Sequence, residues 1–229
     1  AALLMMAALA GCAAVPGPGK LRPGAPYVAL GSSFAAGAGI GPIKPGGPER
    51  CGRTTNNYAT LLAARLGLAL DDQSCGGATT AHVLGPWKEL PPQVDALNRK
   101  TRLVTVTIGG NDLNYVGNLY MSACVPGKLM KVQGYALPCT GPILPAEADY
   151  ARLEDAMRRI AQEVRHRAPR ARLVFVQYVT LVPESPCPAA DLPPQRAAPM
   201  RELGRRLADI TARVAADSKA LVLAADSLS

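Results

Sequence analysis

The sequence predicts an α/β protein in which a parallel sheet lies between two layers of helices, a three-layer flavodoxin-like architecture. Short apolar segments typical of buried strands alternate with longer segments that carry apolar residues at helical spacing. Three of the strand segments end in glycine and small polar residues, as expected where parallel strands meet a ligand at one sheet edge. A chain of 229 residues is long enough for one domain with a sizeable core.

Strand and helix segments alternate from residue 27 onwards. The predicted strands cover residues 27–30, 68–74, 102–108, 172–180 and 220–224. The predicted helices cover residues 55–67, 93–100, the first part of 113–131, 145–167 and 195–219. Residues 39–52 and 183–194 are rich in glycine or proline and are predicted to be loops.

The first strand segment leads directly into Gly31-Ser32-Ser33. If a helix begins there, the side chain after the turn lies at the carboxyl edge of the sheet. A ligand bound to the unpaired N–H groups at the helix N-terminus would lie next to this side chain. A serine hydroxyl at this point could attack an acyl carbon while neighbouring amides bind the oxyanion. Ser32 or Ser33 could equally serve only as a helix cap, because serine is a favoured N-cap residue.

The residues after two further strands favour the role of the serine as a nucleophile over its role as a helix cap. Gly77 lies in a glycine pair after the second strand segment, and Asn111 follows a glycine pair after the third. The carboxyl ends of parallel strands meet at one edge, so these turns should be neighbours of the serine turn. With its motifs in this order, the sequence resembles the SGNH (GDSL-like) hydrolases, especially the secreted esterases and lipases of actinobacteria. The resemblance covers residues 27–229.

The resemblance implies the SGNH hydrolase fold, hydrolysis of acyl esters and a role for each motif residue. Ser33 matches the nucleophile of the family. Gly77 matches the glycine whose N–H helps to form the oxyanion hole, and Asn111 matches the side-chain amide donor of that hole. The N–H of Ser33 would be the third donor. Ser32 stands where the family has aspartate, which is neither the attacking group nor the base.

The composition narrows the classes of partner. The formal charge of +8 is spread along the chain, whereas a nucleic-acid-binding protein is expected to concentrate basic and aromatic residues on one face. We therefore expect no nucleic-acid partner, and regard attraction to anionic lipid or cell-wall polymers as the more natural use of the charge. The sequence has no metal-ligand cluster or phosphate loop. We expect a monomer without a cofactor that acts on an acyl ester substrate.

The first residues predict export. Residues 1–10 are an apolar run too short to span a bilayer and typical of the hydrophobic part of a secretory signal. Cys12 follows in a context that resembles the bacterial lipobox. We therefore expect a signal segment at residues 1–11, a lipidated Cys12 that binds the membrane surface, and a Pro/Gly-rich tether over 12–26. The hydrolase domain would cover residues 27–229 of a cell-envelope lipoprotein. Ordinary signal cleavage, which gives a secreted protein, and a plain N-terminal helix are the alternatives.

The resemblance also implies two disulfides. The family pattern pairs the cysteines that match Cys51 with Cys75 and Cys124 with Cys139, and export makes such bonds possible. Cys187 is left alone in this pattern. In the relatives its partner lies just after the catalytic histidine, near the carboxyl end.

The family's base histidine follows the last strand, where the printed sequence has none before Ser229. We expect this histidine beyond Ser229, and we expect both ends of the printed sequence to be truncated. His166 is predicted to be a solvated residue at the basic end of a helix, and His82 a surface or rim residue. In the actinobacterial relatives a backbone carbonyl can orient the histidine in place of an acidic side chain. We therefore name no third member of the triad; Asp226 is the one acidic residue that we consider for it.

Other functions stay open at this point, because a serine hydroxyl without a base attacks slowly. One alternative is a catalytically inactive binding protein of the cell envelope that keeps the scaffold. Another is an acyltransferase or a deacetylase that acts on envelope sugars, since the fold does not separate these activities.

Overall fold

The structure, a computed structural model, describes residues 20–132, 135–185 and 192–225. The predictions for Cys12, Cys187, Asp226 and the residues around Ser229 lie outside these ranges. The strands are β1 Pro26–Gly31, β2 Ala69–Asp72, β3 Leu103–Thr107, β4 Leu129–Val132, β5 Tyr135–Pro138, β6 Arg172–Val176 and β7 Leu221–Leu223. The α-helices are α1 Ser33–Ala36, α2 Tyr58–Leu66, α3 Thr80–Leu84, α4 Tyr115–Ala123, α5 Glu147–Arg167 and α6 Pro194–Asp217.

Five of these strands form one parallel sheet in the order β2-β1-β3-β6-β7. Successive side chains of a strand point to opposite faces. Tyr27 and Ala29 of β1 pack in a small cluster with residues of α2, whereas Val28 and Leu30 join the main core with α3, α5 and α6. Helices therefore cover both faces of the sheet, and the predicted three-layer α/β/α fold is confirmed.

The helices follow the predicted periodicity. In α5 the residues at helical spacing are buried, and they include Tyr150, Leu153, Met157, Ile160 and Val164. The equivalent stripe of α6 is also buried, with Leu203, Leu207, Ile210 and Val214. Both stripes pack into the same main core, so these two helices supply a large share of its aliphatic side chains in a chain with few aromatic residues. Within the described ranges, no helix is long and apolar enough to cross a membrane.

Two segments differ from the sequence prediction. Residues 93–100 form only a 3₁₀ turn, Gln93–Ala96, instead of a short helix. The residues after α4 form an antiparallel ribbon of β4 and β5 rather than an irregular loop, with the Cys124–Cys139 disulfide at its base. The ribbon carries apolar residues on both faces, so the alternation that would reveal its strands is absent from the sequence.

The carboxyl ends of β1 and β3 meet with no room for a side chain at Gly31. Gly31 has a φ of +142°, and a Cβ atom there would lie 2.4 Å from the carbonyl oxygen of Thr107. The Gly31 carbonyl accepts a hydrogen bond from the N–H of Cys75 at 3.0 Å, which brings the segment after β2 to the same point. Glycine is required here because both the backbone conformation and the space exclude a side chain.

We predict that Gly31→Ala destabilises the protein by more than about 2 kcal/mol, because strain at a left-handed φ and a collision with Thr107 act together. Gly39→Ala is the matched control: Gly39 also has a positive φ, but a Cβ atom there meets nothing within 4 Å. Urea unfolding of the two variants measures the difference. Equal destabilisation would show that the close contact at Gly31 is not what requires glycine.

Candidate active site

The two serines after β1 are held in different environments. Ser32 occupies the N-cap position of α1, but its side chain makes no capping hydrogen bond. Its buried Oγ lies 3.0 Å from the hydroxyl oxygen of Tyr178 instead. Ser33 begins the helix with a partly exposed side chain. Ser32 is thus a buried structural residue, and Ser33 is the serine that a substrate can reach.

Asn111 is fixed beside the glycine loop that follows β2. Its Nδ2 donates a hydrogen bond of 2.8 Å to the carbonyl oxygen of Ala78, the residue after Gly77. A side-chain amide has two N–H groups, so this bond orients the group and leaves one N–H for another acceptor. The structure therefore brings together the Asn111 and Gly77 loops, as the sequence predicts.

Asp112 adds a second connection between the same two loops. Its carboxylate accepts hydrogen bonds from the N–H of Thr80, with both oxygens 3.1 Å from that nitrogen. Burial raises the pKa of Asp112, and the hydrogen bonds from Thr80 oppose this effect by stabilising the carboxylate. Two adjacent side chains of one loop therefore hold the other loop at the start of α3.

The Tyr178 hydroxyl connects the serine loop to the Asn111 loop. It accepts a hydrogen bond of 3.1 Å from the N–H of Gly110 and also contacts Ser32. A Cβ atom at Gly110 would lie 2.7 Å from this hydroxyl oxygen, so a larger residue would displace it. Burial raises the pKa of Tyr178 to about 12, so the hydroxyl stays protonated at neutral pH. Tyr178 is not among the site residues predicted from the sequence, although a glycine pair before Asn111 is a signal of close approach.

The buried side chain of Gln93, which is also not among the predicted site residues, binds the backbone of the serine turn from within the core. Gln93 donates from Nε2 to the carbonyl oxygen of Gly31 at 3.0 Å, and its Oε1 accepts from the N–H of Gly31 at 2.7 Å. Gln93 is buried, so both bonds form away from bulk water. They satisfy the backbone at the point where β1 ends and Ser32 begins.

Trp87 packs against the glycine loop. The ideal Cβ position of Gly77, which has a φ of +82°, lies 3.3 Å from Cη2 of Trp87. The indole ring stacks on His82 with 4.1 Å between ring centroids, and the Arg50 guanidinium lies 4.2 Å from its centroid on a cation–π contact. A stack of three side chains thus borders Gly77 and limits its movement.

His82 has a structural role in this stack. Its Nδ1 accepts a hydrogen bond of 3.0 Å from the N–H of Thr79, which completes a capping box at the start of α3. Burial lowers the pKa of His82, the charge of Arg50 adds to this effect, and Asp112 opposes it. The neutral imidazole is therefore the form that the folded protein favours.

His166 lies at the other edge of the sheet. It is exposed in the last turn of α5, a few residues before the strand β6 begins at Arg172. Ser33 follows the end of β1, and β1 and β6 run in parallel within one sheet, so His166 and Ser33 are at opposite edges. This position agrees with the predicted solvated helix residue.

Both disulfides implied by the resemblance are present. Cys51 and Cys75 have their Cα atoms 4.0 Å apart, and the Cα atoms of Cys124 and Cys139 are 5.8 Å apart. The first bond lies next to the glycine loop, because the N–H of Gly76 donates to the carbonyl oxygen of Cys51 at 2.9 Å. It restrains the loop that carries Gly77.

The chain matches a known protein family over most of its length. The model of the GDSL-like lipase/acylhydrolase family matches residues 29–228, which includes all three loops described above. The chain belongs to this family. The expected class of enzyme, a carboxylic ester hydrolase of the SGNH type, is thereby confirmed.

This GDSL-like hydrolase is similar to several proteins of Streptomyces. It is 34% identical to Lipase 2 of Streptomyces coelicolor, over 85% of this chain and 70% of the relative. Phospholipase A1 of Streptomyces albidoflavus aligns with a TM-score of 0.65 and 27% identity, over 87% of this chain and 78% of that structure. The extracellular lipase of Streptomyces rimosus aligns with a TM-score of 0.66 and 26% identity, over 86% of this chain and 78% of that structure.

We predict that Tyr178→Phe lowers kcat by about tenfold with little change in KM, because the loops that carry Ser33 and Asn111 lose their common hydrogen-bond partner. The matched control is Tyr27→Phe, which removes a buried hydroxyl that bonds Thr105 at 2.8 Å elsewhere in the sheet. Both variants should lose stability, but only the first should lose kcat. The measurements are steady-state kinetics on a soluble ester and urea unfolding. Equal kcat values in the two variants would contradict a positioning role.

We predict that His82 titrates below 6.5, since burial favours its neutral form. The unfolded chain then binds a proton more readily than the folded one as the pH falls through 6.5 towards the lower folded pKa. His82 therefore lowers the free energy of unfolding as the pH falls from 6.5 towards its folded pKa, and has no such effect at neutral pH. NMR titration measures the midpoint, and His82→Gln, which keeps a capping-box side chain, should reduce the acid sensitivity of unfolding. A midpoint at or above 6.5 would exclude this assignment.

Proposed function

We propose that the protein hydrolyses acyl esters with Ser33 as the nucleophile. The observation that carries the proposal is that the accessible Ser33 turn is tied by hydrogen bonds to the two loops that hold Gly77 and Asn111. Ser33 Oγ would form a bond to the ester carbonyl carbon while its proton passes to a base. The alcohol then leaves with a proton, and water adds to the acyl-serine to release the acid and restore Ser33.

The oxyanion formed in the attack would be bound by three donors. These are the N–H of Ser33, the N–H of Gly77 and the second N–H of the Asn111 amide. Asn111 is preorganised for this role, because its bond to Ala78 at 2.8 Å fixes the amide plane before substrate arrives. The Trp87 ring against Gly77 restrains the second donor in the same way.

The base is expected to be a histidine beyond Ser229, as the resemblance implies. The geometry of the two printed histidines supports this expectation. His82 already accepts a hydrogen bond from Thr79 and favours its neutral form as a helix cap, and His166 lies at the opposite edge of the sheet. We therefore expect His82→Gln to keep the ester hydrolase activity.

The proposed substrates are acyl esters, and the proposed location is the cell envelope. Similarity to proteins named lipase and phospholipase A1 supports an ester of a fatty acid, and similarity to an extracellular lipase supports export. Lipidation of Cys12, the tether over residues 12–26, the hydrolase domain over residues 27–229 and a monomeric state remain predictions from the sequence.

We predict that Ser33→Ala abolishes ester hydrolysis and that Asn111→Ala lowers kcat by about a hundredfold or more, since one oxyanion donor is lost. The control for the second change is Asn56→Ala, because Asn56 donates a hydrogen bond of 3.0 Å to Ile40 in an exposed loop. Release of acid from a soluble short-chain ester measures all three variants, after each is shown to unfold cooperatively. Full activity in Ser33→Ala would end the nucleophile assignment, and equal losses in the two asparagine variants would end that of Asn111.

A further inference from the structure

The ribbon of β4 and β5 exposes apolar side chains on both of its faces. Leu129 is 71% exposed on one face and Tyr135 is 73% exposed on the other. The exposed apolar residues continue into the following loop, where Ile143 is 80% exposed. Single exposed apolar residues are ordinary, but several of them within one short segment are typical of a surface that binds a partner.

The charge around the ribbon has one sign. Residues 113–146 contain no aspartate or glutamate, although the whole chain has 17 acidic residues. Lys128 and Lys131 are exposed on either side of Leu129 and Met130. In the described part of the chain, neither lysine takes part in an ion pair. Their ammonium groups are therefore available to an anionic partner.

The ribbon is attached to the candidate active edge. The helix α4 begins four residues after Asn111, and its nine residues span about 14 Å before the ribbon starts. The Cys124–Cys139 disulfide closes the ribbon at the end of α4. The loop that follows is held on the same helix, because the N–H of Ile143 donates to Oδ1 of Asn118 at 2.9 Å. A partner bound to the ribbon would therefore lie near the loop that carries Asn111.

We propose that this ribbon is a docking surface for anionic lipid membranes, with Leu129, Tyr135 and Ile143 entering the interface and Lys128 and Lys131 contacting lipid phosphates. Apolar residues on two faces of a narrow ribbon suit insertion between lipid headgroups better than the single flat face that a protein partner covers. Tyrosine and lysine are favoured at the membrane interface, because each has an apolar body and a polar end.

The first test compares two double variants of the full chain, produced without lipid modification, so that all proteins share residues 1–19. Leu129→Asp with Tyr135→Asp changes the ribbon. Leu61→Asp with Leu66→Asp is the matched control, because these leucines of α2 are 57% and 42% exposed and the charge change is the same. We expect the ribbon variant to bind vesicles of phosphatidylglycerol and phosphatidylcholine at least about tenfold more weakly than the control in sedimentation assays.

The second test concerns the lysines. Lys128→Gln with Lys131→Gln should reduce the preference for these vesicles over pure phosphatidylcholine by about 25-fold, or about fivefold for each lysine. Lys100→Gln with Lys219→Gln, which removes two exposed lysines elsewhere, is the control and should reduce it much less.

Three results would overturn the inference: no vesicle binding by the parent chain, equal binding by the ribbon and control variants, or a ribbon variant that changes only self-association in sedimentation velocity. Hydrolysis of a water-soluble short-chain ester is measured in parallel and should be the same in parent and ribbon variants. Failure of a parent chain that extends past Ser229 to include the expected histidine to hydrolyse this ester would contradict the proposed function, and the vesicle comparison would still test the ribbon.

Discussion

The approach of the Gly31 backbone to the carbonyl of Thr107 is the constraint on which the active edge depends. With no side chain at Gly31, β1 and β3 can end side by side, and the segment that follows β2 can bond to the same residue through Cys75. Gln93 then satisfies both backbone groups of Gly31 from within the core. This contact lets three loops meet at one place, so that residues far apart in sequence can act on one substrate.

The loops are held together by buried and partly buried hydrogen bonds outside the regular sheet. Tyr178 bridges the serine loop and the Asn111 loop, while Asn111 and Asp112 reach the loop of Gly77. Ser32 and Tyr178 are buried, and Asn111 and Asp112 are partly buried, so losing a hydrogen-bond partner costs more here than in solvent. These connections hold together the three loops that carry Ser33, Gly77 and Asn111, and Ser32 takes part in them as a buried residue.

Charged and apolar side chains are distributed differently over two parts of the protein surface. Arginine–carboxylate pairs link and line α5 and α6, as between Arg213 and Glu154. The ribbon near the active edge instead combines exposed apolar groups with two lysines that form no ion pair with the part of the chain that the structure describes. For an ester hydrolase, this asymmetry would turn one side of the domain towards a lipid surface while the core and its two helical layers stay unaffected.

The sequence by itself determined the order of strands and helices, because the apolar periodicities of 2 and 3.6 are local properties of the chain. It also identified the motif residues, since Ser33, Gly77 and Asn111 each follow a strand end with glycine. Only the tertiary structure decided that Tyr178 and Gln93 hold these loops, that Ser32 is buried while Ser33 is accessible, and that the ribbon exists. Contacts between residues 60 to 150 positions apart depend on the packing of the sheet, and no local pattern encodes them.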